Sequence, residues 1–227
     1  YNHKWILERA IRDYALRLDT ERMKRISAFL SDTMLQVRQT DQLDVLRGLE
    51  GNAAAQYNSV FDDLILQQKE SFYFYGRSKR PPLDKVNALL SFAYTLLSND
   101  MQSALESVGL DPYVGFLHRD RPGRPSLALD VMEELRGVYA DRFVLSLINK
   151  KIVNDKGFYI KENGAVIMDD DTRKKVIKAW QERKQERIQH PYLNEQIPWG
   201  LVPYAQSLLL ARHIRGDLDE YPPFLWK

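Results

Sequence analysis

Residues 115–140 read GFLHRDRPGRPSLALDVMEELRGVYA. At about 100° per residue, Leu127, Val131, Leu135 and Val138 fall in one apolar sector, with Met132 and Tyr139 at its flank. The spacing predicts an amphipathic helix over 127–140. Asp130 and Glu133 lie about 60° apart on the opposite side, and Ser126 is placed to cap the first turn. Gly137, one turn on, costs roughly 1 kcal/mol against alanine but removes bulk beside the carboxylates. Just before the helix, His118 ends an apolar run, and a Pro/Gly loop carries Arg119, Arg121 and Arg124. Imidazole and carboxylate together suit a divalent cation such as Mn²⁺ or Mg²⁺, and guanidinium groups suit a phosphodiester. Metal-assisted chemistry on nucleic acid is the expectation. The plainer alternative makes Asp130, Glu133 and Glu134 a solvated acidic face, favoured at a helix start by the macrodipole.

Upstream, apolar residues at Trp5, Ile6, Ala10, Tyr14 and Leu18, then Met23, Ile26, Leu30, Met34 and Val37, keep helical spacing. Leu43 to Leu49 is a short helical stretch, followed by the small residues Ala53-Ala54-Ala55, which permit close approach of a backbone or ligand. Gly76-Arg77-Ser78-Lys79-Arg80-Pro81-Pro82 is a loop, after which Asp84 caps a helix reaching about Ser98. Downstream, 158–167 carries the one strand signal, a small hairpin about Glu162-Asn163-Gly164. Asp169-Asp170-Asp171-Thr172 reads as a cap for a basic helix rather than a metal cluster. Trp180 and Trp199 read as core or interface residues, and His3, His190 and His213 as solvated or hydrogen-bonded. The tail from Glu220 to Lys227 is apolar enough to pack on the body or on a partner. The fold class is mainly α, a compact multi-helix domain with at most one small hairpin. Its basic helical part covers about 170–227.

The chain has 227 residues, 44% hydrophobic and 28% charged, with a net charge of +2, enough for a sizeable core. Zero cysteines exclude disulfides and thiolate metal sites and fit a reducing cytoplasm. No run approaches the roughly 18 apolar residues of a membrane span. The net charge understates the basic character. Seven lysines and arginines fall between Thr172 and His190, with further clusters at Arg77, Lys79 and Arg80 and at Arg119, Arg121 and Arg124. These two loop clusters are the expected DNA-binding residues, with the 172–190 helix auxiliary. Because the chain opens on Tyr1-Asn2-His3-Lys4 and runs straight into helical periodicity, it is expected to be a piece of a longer protein.

Three blocks together resemble the CRISPR-associated "Cas one" integrase and endonuclease family, nearest its type I-C branch. They are Leu46-Arg47-Gly48-Leu49-Glu50-Gly51 with Ala53-Ala54-Ala55 and Tyr57, the run from Arg77 to Tyr94, and the stretch 115–136. The resemblance implies a helical catalytic domain over 1–227, preceded by an N-terminal β domain in the full protein. It implies cutting and joining of DNA during spacer capture, joining 3′-hydroxyl ends to the CRISPR repeat as a homodimer with the small "Cas two" protein. It implies a catalytic metal site of Glu50, His118 and Glu133, with Asp130 supporting from beside Glu133. Many relatives carry aspartate at the third place. A rival function is a non-catalytic helical DNA-binding module, in which the carboxylates merely orient arginines. Convergence of Glu50 with His118 and Glu133 separates the two.

Overall fold

The computed structural model describes residues 1–119 and 121–226. Helix α1 (Asn2–Tyr14) pairs with α2 (Thr20–Val37), which leads into α3 (Leu43–Ser59). After the 60–84 segment comes α4 (Lys85–Ser107), then α5 (Ser126–Leu135), a π-helical turn (Arg136–Asp141) and α6 (Arg142–Asn149). The hairpin β1 (Phe158–Ile160)/β2 (Val166–Met168), α7 (Asp170–Gln185), the strands β3 (Arg187–Gln189) and β4 (Gln196–Pro198), and α8 (Val202–Ile214) complete the order. The architecture is mainly helical, as the periodicity predicts.

Helix α4 is the axis. Its apolar positions Val86, Leu89, Leu90, Ala93, Leu97 and Met101 are fully or almost fully buried, and it packs on α5, α6, α8, the π turn and β2. Asp84 caps it as expected, accepting from the Asn87 N–H at 2.7 Å. One buried cluster runs from Ile6 to Phe224, so residues 170–226 close the same core rather than form a separate one.

Three local expectations are corrected. The 127–140 helix is α-helical only to Leu135. It then widens into the π turn before resuming as α6, a register change that period arithmetic does not foresee. Ser126 is the first helical residue rather than the cap. Its hydroxyl lies 3.4 Å from the Arg119 carbonyl, and the otherwise orphaned N–H groups of Leu127 and Ala128 donate to the Pro112 carbonyl. Gly137 makes room for α1, not for the carboxylates, since a Cβ there would sit 2.6 Å from the His3 ring.

Two antiparallel hairpins are present where at most one was expected. The second pairs Ile188 with Ile197 across a loop held by His190. Its strands are three residues long, like those of the first hairpin, but no Asn-Gly turn joins them. His190, expected to be solvated or hydrogen-bonded, is fully buried and hydrogen-bonded. Its Nδ1 accepts from the Tyr192 and Leu193 N–H groups, while Nε2 faces the Gln206 carbonyl at 3.1 Å. The basic stretch is accordingly helical only to Gln185, with Asp169 capping it as predicted.

Trp180 and Trp199 are core residues, stacked on Tyr139 at 4.7 and 4.9 Å. The tail packs on the body. Phe224 is fully buried and Trp226 lies edge-on to Trp199. Glu134 fastens this tail rather than forming a solvated face. It accepts from the Tyr221 hydroxyl, the Gln206 amide and the Phe224 N–H at 2.6, 2.8 and 2.7 Å. Asn2 clamps the same turn from the other end of the chain, donating to the Glu134 and Phe224 carbonyls and accepting from the Trp226 N–H. Glu134→Ala strands three donors in a largely buried place, and the expected loss is about 2–4 kcal/mol. A shift of the urea midpoint at unchanged slope measures it.

Candidate active site

The site is assembled from α3, the 112–124 loop and α5. Asp130 is buried at the first turns of α5, and its two carboxylate oxygens accept four hydrogen bonds from the loop in front of it. The Phe116 and Leu117 N–H groups reach Oδ2 at 2.7 and 3.0 Å. The His118 N–H reaches Oδ1 at 2.9 Å, and the His118 ring Nδ1 lies 2.6 Å from the same oxygen. Burial pushes the Asp130 carboxyl up, but the His118 ring and the three N–H groups outweigh it, and its pKa falls below the ordinary carboxylate range. An ionised Asp130 makes Nδ1 the protonated nitrogen, so Nε2 is left as a lone-pair donor. Asp130 thus supports the imidazole and not Glu133, which corrects the expected division of labour.

Glu133 is instead held by the third residue after it. Both its oxygens accept from Arg136 Nη1, at 2.9 and 3.1 Å. Arg136 lies over the Tyr94 ring at 4.6 Å, Arg77 lies over the same ring at 5.2 Å, and the Tyr94 hydroxyl donates to the buried Asp141. Arg47, on the α3 face beside Glu50, donates through Nε to the Leu117 carbonyl at 2.8 Å and so docks α3 on the His118 loop.

Glu50 stands where two clefts meet. One, of about 90 Å³, is lined by Glu50, Glu133, Arg136, Tyr94, Asp141, His3, Tyr57 and the small residues Ala53 and Ala54. The other, of about 260 Å³, is lined by Glu50, Arg47, Leu117, His118, Arg119, Arg121 and Arg124. Partial burial of its carboxyl, then the like charge of Glu133, pushes the Glu50 pKa up, while His118 and Arg136 pull the other way. Glu133 and His118, far from Glu50 in sequence, therefore act on it electrostatically. Among the described residues, no three His, Asp or Glu side chains stand close enough as drawn to hold a metal ion. The donor chemistry nevertheless suits a hard divalent cation: the carboxylate of Glu133 disfavours the charge on Glu50, and the imidazole is already oriented by Asp130.

Of the basic residues singled out in the sequence, Arg119, Arg121 and Arg124 line the Glu50–His118 cleft. Lys79 and Arg80 are exposed on the neighbouring loop, and partial burial together with Arg136 and Arg77 pulls Lys79 below the ordinary lysine range. Arg77 is engaged in the fold, donating to the Ser78 carbonyl, to the buried Asn87 and to Ser91. Sequence reasoning missed Arg136, Arg47, Tyr94 and Asp141. The i,i+3 spacing from Glu133 was a signal for Arg136, whereas nothing in the sequence joins Tyr94 to Asp141.

The geometry defines a class: a helical domain presenting carboxylates and an oriented imidazole beside a guanidinium-lined cleft. Comparison with known proteins places it further. The family model for CRISPR associated protein Cas1 matches residues 1–182. The chain is 52% identical over 226 residues to CRISPR-associated endonuclease Cas1 1 of Chlorobaculum tepidum, matching all of this chain and 66% of that protein. It is 45% identical over 226 residues to CRISPR-associated endonuclease Cas1 of Leptospira interrogans, of which it spans 89%. Among solved structures, a Cas1 protein from Thermotoga maritima is 25% identical with a TM-score of 0.73, covering 96% of this chain and 68% of that one. A casposase bound to integration product shares the fold, with a TM-score of 0.81 at 23% identity, over 100% of this chain and 64% of that one. The chain belongs to the CRISPR-associated Cas1 family.

Because Asp130 titrates lower folded than its ordinary value of about 3.9, the stability it confers is present above that value and lost as pH falls through the folded pKa. Asp130→Asn is therefore expected to be less stable than the parent at pH 6–7, and the gap should narrow on acidification below about pH 4. Urea melts of both proteins along a pH series check this. A constant gap would mean that Asp130 is not the ionised acceptor.

Proposed function

We propose that this chain is the catalytic domain of a divalent-metal-dependent DNA endonuclease and integrase of CRISPR spacer acquisition. The observation that carries the reading is the His118 ring, held by Asp130 with Nε2 left as a donor, in a cleft shared with Glu50 and walled by Arg119, Arg121 and Arg124. Glu50, His118 and Glu133 would hold Mn²⁺ or Mg²⁺. Such an ion, when bound, lowers the pKa of an attacking oxygen and neutralises charge gathering on the phosphate.

The protein's own groups supply the rest. Asp130 fixes the tautomer and direction of His118. Arg136 orients Glu133. The loop arginines bind the phosphates on either side of the reacting one, as guanidinium pairs well with phosphate oxygens. In joining, a 3′-hydroxyl oxygen of captured DNA forms a bond to a phosphorus of the CRISPR repeat. The existing phosphorus–oxygen bond to the adjoining 3′-oxygen breaks, and that oxygen leaves with a proton. One phosphodiester replaces another, so no nucleotide hydrolysis is required. With water as the attacking group, the same arrangement cuts.

In the whole protein we expect an N-terminal β domain, a homodimer, a complex with Cas2, and action on prespacer and repeat DNA in the cytoplasm. Fold likeness supports the Cas2 partnership: a Cas6-RT-Cas1–Cas2 complex superposes with a TM-score of 0.82 at 21% identity, over 99% of this chain and 24% of that one. The three sequence blocks lean to the type I-C branch. Among the described residues, no helix is long and apolar enough to cross a membrane.

Two experiments test this. Strand transfer and cleavage on branched and duplex DNA should proceed with Mn²⁺ or Mg²⁺ and stop with EDTA. His118→Ala should abolish both without loss of helical signal in circular dichroism. Wild-type rates in that variant would sink the assignment, and DNA binding that ignores EDTA with no turnover would favour the non-catalytic module. Separately, log K for DNA should fall with log salt by roughly 0.7–0.9 per phosphate contact. Joint replacement of Arg119, Arg121 and Arg124 by alanine should flatten that slope by about two to three units. An unchanged slope would move the binding surface elsewhere.

A further inference from the structure

Phe116 precedes the cleft-lining residues Leu117 and His118 in the same loop, and its ring is 61% exposed. Its backbone, by contrast, is held by hydrogen bonds on both sides of the ring's attachment. Its N–H is bound to Asp130 Oδ2 at 2.7 Å, the next two N–H groups are bound to the same carboxylate, and the Leu117 carbonyl is taken by Arg47. Just before it, a Cβ at Gly115 would lie 2.6 Å from Ser126 Cβ and 2.8 Å from Asp130 Oδ2, so the chain is pressed against α5. The Pro112 carbonyl anchors the loop's beginning by accepting from Leu127 and Ala128.

A ring held out to solvent on a pinned backbone loses little conformational entropy when a second surface covers it. Apolar exposure continues to Val114, 64% exposed, and on the C-terminal side the same loop turns directly into His118, Arg119 and Arg121 at the phosphate-binding wall. An apolar flat face next to guanidinium groups is complementary to a nucleobase next to its phosphate.

We propose that Phe116 is a stacking platform for an unpaired nucleobase adjoining the phosphate held by the loop arginines, which gives the site a preference for DNA with an unpaired base at the junction. This deepens the function proposed above and rests on it. The ring touches substrate without touching the reacting atoms, and a paired duplex, whose bases are already stacked, draws little from it. An aromatic stacking contact contributes about 1–3 kcal/mol per base, a factor of roughly 5–150 in affinity.

The test uses the full chain with EDTA present, so that binding is read apart from turnover. The probe is a duplex carrying one unpaired 2-aminopurine at a strand junction, with a fully paired duplex of equal length as the companion. For the parent protein, 2-aminopurine fluorescence should fall on binding. Phe116→Ala should lose that quench and weaken junction binding about 5- to 150-fold, while changing paired-duplex binding less than about twofold. Phe116→Trp should restore both. The ring is exposed and not part of the core, and unaltered thermal melting of the alanine variant excludes unfolding as the cause.

An unchanged quench and junction affinity in Phe116→Ala would overturn the proposal while leaving the DNA cleft intact. Equal weakening on both DNAs would reduce Phe116 to a general contact and overturn it too. A shift in sedimentation of the DNA-free protein with the quench preserved would assign the ring to a contact between protein chains. If the parent bound neither DNA, the function proposed above would fail first, and the stacking platform with it.

Discussion

One carboxylate holds the candidate site together. Asp130 takes four donors on two oxygens in a place almost closed to water, and each donor belongs to the same short loop. A buried charge is tolerable only when so compensated. The compensation runs in both directions, because three successive backbone N–H groups find their acceptor in this one carboxylate. The loop is therefore shaped around Asp130. The direction of the His118 ring, the exposure of Phe116 and the placement of the Leu117 carbonyl for Arg47 all follow. Through Arg47 the constraint reaches α3 and fixes where Glu50 meets the clefts.

Cations in this part of the molecule divide into two kinds. Arg77 and Arg136 both lie over the ring of the α4 residue Tyr94 and are occupied with Asn87 and Glu133 respectively. Arg119 and Arg121 are exposed at the cleft wall. Equal charge thus serves unequal purposes. An arginine spent on an aromatic face and a fixed acceptor rigidifies the wall. One standing in solvent keeps its field available to an approaching polyanion.

Much of this was legible beforehand. The helices followed from apolar spacing, the caps Asp84 and Asp169 from their position before helical runs, and the core roles of Trp180 and Trp199 from their place in amphipathic segments. The juxtaposition of Glu50 with His118 was legible only by resemblance, since no local rule spans their separation. Other features were not readable at all. The π turn at 136–141 changes register in a stretch where Gly137 is a poor helix former but the apolar spacing runs on as for an α-helix. Gly137 was assigned to the carboxylates because a 3.6-residue period puts it on their side. It faces His3, because the wider turn rotates it onto α1. The β3–β4 pair escaped notice because its connection, His190 to Glu195, carries no Asn-Gly turn like the one that marks the equally short β1–β2 hairpin. His190 is hydrogen-bonded, one of the two states expected of it, but its partners, Gln206 and a turn of backbone, come together only once the chain has folded.

The clamp made by Asn2 has a mechanical meaning. It ties the first helix to the tail at Phe224 and Trp226, so that residues 222 and 224 apart in sequence share hydrogen bonds and the fold is fastened as a loop. Asn2 is also one residue from His3, whose ring stacks on Tyr57 at 4.1 Å in the cleft of Glu133 and Glu50. The tail therefore works as a tensioner. Loosening it frees the start of α1 and slackens one wall of a cleft that the tail itself never touches.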